Sequence, residues 1–155
     1  MPKRIKISLH PLFILLSSMY LLIFITYGIK NLKGLLAHGY TQHEIVGIII
    51  SILAIALFAF LALVRYRRID VYPDRYVFRS IVASRIIYKH DINEIKKHPL
   101  NLFSFKWGSN GIMGIISLNS SGEMYNVSDV SNTIRIALKN NEVIHVSCDK
   151  PEEIV

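Results

Sequence analysis

Residues 45–64 read IVGIIISILAIALFAFLALV, twenty positions without a formally charged side chain. At 1.5 Å per residue a helix of that length is about 30 Å long, which matches the hydrocarbon core of a bilayer. A second uncharged run, from Ile7 to Ile29, precedes it and holds LFILL at 12–16 and LLIFI at 21–25. Burying two such helices inside a soluble protein takes more polar chain than 155 residues provide. The sequence therefore predicts two membrane spans, at about residues 9–29 and 45–64.

Charge divides the chain at the same place. Residues 1–68 carry Lys3, Arg4, Lys6, Lys30, Lys33, Arg65, Arg67 and Arg68 against Glu44 alone, whereas residues 69–155 balance ten basic with ten acidic side chains. The basic excess, and with it the pI of 9.6, lies beside the apolar runs, where lipid headgroups and topology account for it. Nucleic-acid binding is not the expected role, since that needs a basic footprint on the folded domain. Lys3, Arg4 and Lys6 before an apolar run also resemble the start of a secretory signal, but the run exceeds a signal core and no small-x-small site follows before Lys30. It reads as a retained anchor.

Lys3, Arg4 and Lys6 precede the first span and Arg65, Arg67 and Arg68 follow the second, while the connecting loop, read as Lys30 to Glu44, carries two. The positive-inside rule puts both termini in the cytoplasm and the six flanking bases at the membrane interface. Tyr27 and Tyr66 suit opposite interfaces. Gly47, Ser51, Ala54 and Ala62 form a stripe expected to pack on the first span. The spans hold no Asp, Glu, Lys or Arg, and Ser17, Ser18, Thr26 and Ser51 are too few to conduct ions or protons, so transport is not expected.

Two domains follow: residues 1–68 as tail and transmembrane hairpin, residues 69–155 as a cytoplasmic β domain. Beyond Arg68 the pattern turns to short alternating runs. Ile69-Asp70-Val71-Tyr72, a Pro73-Asp74 turn and Tyr76-Val77-Phe78 read as strand, turn and strand. Ser84 to Lys89, Gly111 to Leu118 and Met124 to Val127 continue the series, with Ile92-Asn93-Glu94-Ile95 as a bent strand or one helical turn. Residues 133–138 and 142–146 flank Lys139-Asn140-Asn141 as a hairpin. Asp149-Lys150-Pro151-Glu152 has the signature of a helix start, with an acidic N-cap and proline in the first turn. Six or seven strands and a helix start make an α+β chain: a helical hairpin, then a small antiparallel sheet or barrel.

The hairpin, the strand at Ile69-Asp70-Val71-Tyr72, the break at residues 91–95 and the ending Ser147-Cys148-Asp149-Lys150-Pro151-Glu152-Glu153 resemble bacterial pleckstrin-homology-like (PH-like) membrane proteins. Residues 107–114, WGSNGIMG, and Asn132-Thr133-Ile134-Arg135-Ile136 resemble the glycine-rich middle and following strand of that group. The resemblance covers residues 66–155. It implies a mostly antiparallel β-barrel of two orthogonal sheets closed by a C-terminal helix, acting as a binding module without catalysis.

Gly108, Gly111 and Gly114 suit the tight turns or bulges of a barrel strand better than a phosphate loop, because a strand and not a helix follows them. His38 and His43, the closest pair among His10, His38, His43, His90, His98 and His145, have a poor metal spacing. Cys148 cannot form an intrachain disulfide, and its neighbour Asp149 disfavours a thiolate. Asp91 and Glu94 fit a polar turn edge as well as paired acids. No catalytic, metal or cofactor residue is assigned. The expected partners are membrane lipids along the hairpin and a protein, or a second copy, on the β domain. An accessory subunit of a membrane enzyme and a domain that binds anionic lipid are the alternatives.

Overall fold

The computed structural model describes residues 2–39, 41–100, 109–110, 115–118 and 123–155. Two apolar helices lead into two sheets of mostly antiparallel strands, an α+β arrangement of helical hairpin and β domain. Helix α1 runs Pro11–His38 and α2 runs Gln42–Val64. Both are long and apolar enough to cross a membrane, with mean hydropathy 2.2 and 3.0. Their sides are bare: Leu22 and Leu53 are each 63% exposed, a surface that water penalises.

The helices join through a tighter turn than the sequence predicts. Lys30 and Lys33 belong to α1, and only Gly39 to Thr41 connect the two. Gly39 at φ 82 ends α1 with its N–H on Leu35 C=O, the left-handed stop that glycine takes without strain. Thr41 caps α2 by accepting from the Glu44 N–H, and Glu44 reaches back to the Thr41 hydroxyl. Gly47 and Ser51 of the small-residue stripe are buried against α1, where Asn31 faces Gly47 and Gly28 faces Ser51.

The four-stranded sheet holds β1 (Lys3–Lys6), β2 (Arg68–Val71), β3 (Arg75–Arg79) and β4 (Ser84–Tyr88) in that order. The six-stranded sheet contains β5 (Ile92–Lys97), β6 (Ser109–Asn110), β7 (Ile115–Leu118), β8 (Glu123–Val127), β9 (Thr133–Leu138) and β10 (Val143–Ser147), ordered β5-β9-β10-β8-β7-β6. Among the described residues only β8 and β10 pair in parallel. Period-2 alternation sends Ile5, Ile69, Phe78 and Ile87 from one sheet, and Ile134, Ile136, Ile144 and Val146 from the other, into one core. The turn at Lys139 to Asn141 joins β9 to β10 as expected, with Asn141 at φ 67. Residues 92–95 resolve into strand β5, with an irregular register between Ile92 and Glu94.

Two further details differ from the sequence reading. Lys3–Lys6, which the sequence places in a charged tail, is an edge strand of the β domain with Ile5 paired to Ile69. Asp149 does not cap a helix: its carboxylate accepts the Ser8 N–H at 2.7 Å and the Ser8 hydroxyl at 2.6 Å, and Pro151–Glu153 form a 3-10 turn. The segment before α1 thus supplies a neighbour that short-range capping rules do not see. Both ends of the hairpin are thereby fixed to the β domain. Ile7 N–H donates to Arg67 C=O and His10 N–H to Ser128 C=O, while buried Asn126 accepts the Tyr66 N–H and donates to Val64 C=O.

Candidate functional site

On the outer face of the four-stranded sheet, register decides which charges meet. Lys6 stands opposite Arg68, and Arg68 stands opposite Arg79, so one row across β1, β2 and β3 is three cations long. The next row runs Arg4, Asp70, Val77 and Ile86. Asp70 is buried, and three guanidinium groups converge on it. Arg79 donates through Nε to Oδ2 at 2.6 Å; Arg68 Nε and Arg4 Nε lie 3.5 and 3.9 Å from Oδ1. The hydrogen bond to Asp70, and the charge of that carboxylate, hold the Arg79 guanidinium above its ordinary pKa against the cost of burial. One carboxylate therefore organises three arginines and leaves the cluster net positive.

Arg67, Arg68, Arg79 and Ser80 line a recess of about 250 Å³ at the hairpin end of this face. Among the described residues neither Lys6 nor Arg67 has an acidic partner. Beside the recess the β3–β4 turn is closed by Ser80, whose hydroxyl accepts the Ala83 N–H at 3.0 Å. Its tip carries Ile81 and Val82, 53% and 59% exposed. Ile81 N–H donates to Leu63 C=O, which pins this apolar tip against the last turn of α2.

Of the six flanking bases, the structure gathers Arg4, Lys6, Arg67 and Arg68 on this face. Lys3 turns to Glu153 at 3.1 Å. Arg65 ends α2, and burial, with Arg67 adding, lowers its pKa. Arg79 and Asp70 were missed as site residues: a strand arginine well past Arg68 in the chain joins it only through β2–β3 pairing. Gly108, Gly111 and Gly114 lie outside the described residues.

No protein-family model, curated protein or solved structure matches this chain.

A second cluster occupies the outer face of the six-stranded sheet. His145 is 3% exposed and neither ring nitrogen has a hydrogen-bond partner among the described residues. Its ring stacks on Tyr125 at 4.4 Å and lies 5.6 Å from His98. Burial pushes the His145 pKa down to about 4, opposed by Glu123 and aided by His98 and Arg135. Burial also pushes the Tyr125 hydroxyl up to about 12, aided by its hydrogen bond to Glu123.

His90 pairs with Asp91 and stacks on Tyr88, and His10 caps α1 by accepting from Leu12 N–H. Asp91 and Glu94 do not form an acid pair: Glu94 binds Lys96 and Arg135. Among the described residues no three metal-ligating side chains converge. Cys148 is fully buried, and burial raises its thiol to about 11, which disfavours a nucleophile.

Proposed function

We propose that the protein is a membrane-anchored, non-enzymatic binding module of bacterial PH-like type. α1 and α2 cross the inner (plasma) membrane as a multi-pass pair. Both termini lie in the cytoplasm, and the β domain takes a protein strand, from a neighbouring membrane protein or a second copy, beside the bilayer.

The observation that supports this reading best is the open edge of β4. Lys89 N–H donates to Asp74 C=O and Ser80 N–H to Ala83 C=O, and strand alternation then turns the backbone of Ser84, Ile86 and Tyr88 away from β3. Among the described residues no strand lies on that side. Ile86 and Tyr88 are exposed beside it. An unpaired edge with apolar side chains is a template for strand addition.

The decisive variant is Ile86→Pro. It removes an outward-facing N–H, and edge strands tolerate proline. With a photo-crosslinking residue at Tyr88 of the full-length protein in membranes, a discrete adduct is expected whose mass identifies a second copy or another protein. The adduct is expected to vanish in the Ile86→Pro background at unchanged expression. An adduct indifferent to proline, or none, would overturn strand addition.

The orientation has its own check. A reporter fused after Val155 is expected to be active only inside the cell, because Arg65, Arg67 and Arg68 follow α2 and Lys3, Arg4 and Lys6 precede α1. Activity on the opposite side would reverse the assignment.

A further inference from the structure

Like charges directly opposite one another on a sheet are destabilising. The row Lys6, Arg68 and Arg79 is such an arrangement twice over, with Arg67 lining the same recess and Asp70 the only carboxylate within reach among the described residues. Topology alone explains basic residues near the end of a span. It does not explain Arg79, which lies eleven residues after Arg68 in β3 and nevertheless completes the row. Nor does it explain a buried acid that draws three guanidinium groups together. Such a constellation suits a multivalent oxyanion, since guanidinium groups held in place lose little freedom on forming charge-assisted hydrogen bonds.

The surroundings select the source of that anion. Ile81 and Val82 project beside the recess, and the Ile81 N–H is tied to Leu63 in the last turn of α2. If α2 crosses the bilayer, this tip sits at the boundary between hydrocarbon and headgroups, with the arginines one step further toward water.

We propose that Lys6, Arg67, Arg68 and Arg79 form a headgroup site for a phosphate-bearing anionic lipid, whose phosphate occupies the recess while its acyl chains run past Ile81 and Val82 along α2. Asp70 is a positioning residue: it binds no ligand, and it holds Arg68 and Arg79 over the recess. The site rests on the membrane reading of the hairpin. It differs from the β4 edge in both ligand and place.

The test uses the full-length protein in detergent micelles, with phosphatidylglycerol, phosphatidylcholine and inorganic phosphate as probes and native mass spectrometry as the readout. One phosphatidylglycerol is expected to be retained in preference to phosphatidylcholine. Arg67→Gln and Arg79→Gln are each expected to weaken that preference about fivefold, the effect of one basic charge at an anionic surface. Ile81→Ser with Val82→Ser is expected to weaken lipid retention with all cations in place, and circular dichroism confirms folding of each variant.

Equal retention of the two lipids, or a preference unchanged in both arginine variants, would overturn the proposal. Displacement of the lipid by millimolar inorganic phosphate, with no effect of the Ile81 and Val82 changes, would assign the recess to free phosphate and overturn the lipid. Resistance of the protein to carbonate extraction reads the membrane assignment separately, so loss of lipid preference in an unextractable protein counts against this site alone.

Discussion

A chain lacking Pro2–Ser8 is expected to keep its helical hairpin and lose its β domain. β1 and the residue after it contribute Ile5 and Ile7, each 2% exposed, to the main core, and truncating a buried isoleucine costs about 2–5 kcal/mol. The deletion also exposes the inward edge of β2 and strips Asp149 of both its Ser8 hydrogen bonds. Together these losses rival the whole stability of a small domain, about 5–15 kcal/mol. Ile5→Ala alone is expected to cost about 2–4 kcal/mol. Limited proteolysis and circular dichroism of the full-length protein and the deletion in detergent measure this: helix signal retained, rapid cleavage within residues 69–155. A deletion as protease-resistant and as thermally stable as the parent would refute the role given to β1. For the same reason a fragment cut at residue 69 omits Ile5, Ile7 and Tyr66, all members of the core.

What the sequence disclosed follows the range of the interactions involved. The helices were legible because an uninterrupted apolar run needs no partner to be recognised, and the β9–β10 hairpin because Lys139 to Asn141 close it locally. Strand β1 was overlooked because Lys3, Arg4 and Lys6 answer equally well to a topology signal. Its own signal was nonetheless present: Arg4, Ile5, Lys6, Ile7 and Ser8 alternate with period 2, the pattern of a half-buried strand.

Non-local pairing hid the rest. Asp149 followed by Pro151 is a sound N-cap pattern, and its failure reflects competition from Ser8, 141 residues earlier in the chain. The basic site was half visible. The flanking arginines could be counted, but that Arg79 stands opposite Arg68 is a matter of register, which composition cannot supply. Counting residues 69–155 as neutral concealed a local excess, since the balancing acids lie elsewhere: Glu142 against Arg85, Glu94 against Arg135, Glu153 against Lys3 and Lys150.

Acid is expected to destabilise the β domain through His145, and His145→Phe to remove that sensitivity. The folded His145 titrates at about 4 because burial opposes its charged form, against 6.5 for the free side chain. The sign follows from linkage. With the folded pKa below the unfolded one, the unfolded chain takes up the proton first as pH falls. Stability is therefore complete above about pH 6.5 and is lost progressively toward pH 4. Each pH unit between those two values is worth about 1.4 kcal/mol, which makes the loss on the order of 2 kcal/mol by about pH 4.5. Phenylalanine keeps a ring to stack on Tyr125, now 4.4 Å from His145, and abolishes two buried nitrogens that lack partners among the described residues. Replacing an unsatisfied polar group by an apolar one of like shape is neutral or stabilising. The variant should thus match the parent at about pH 7.5 and exceed it at about pH 4.5. Urea unfolding of the full-length protein in detergent at both values reads the difference, with the remaining carboxylates common to the two proteins. Parallel losses in parent and variant would show that the acid response arises elsewhere, and that His145 is wetter or better paired than its 3% exposure implies.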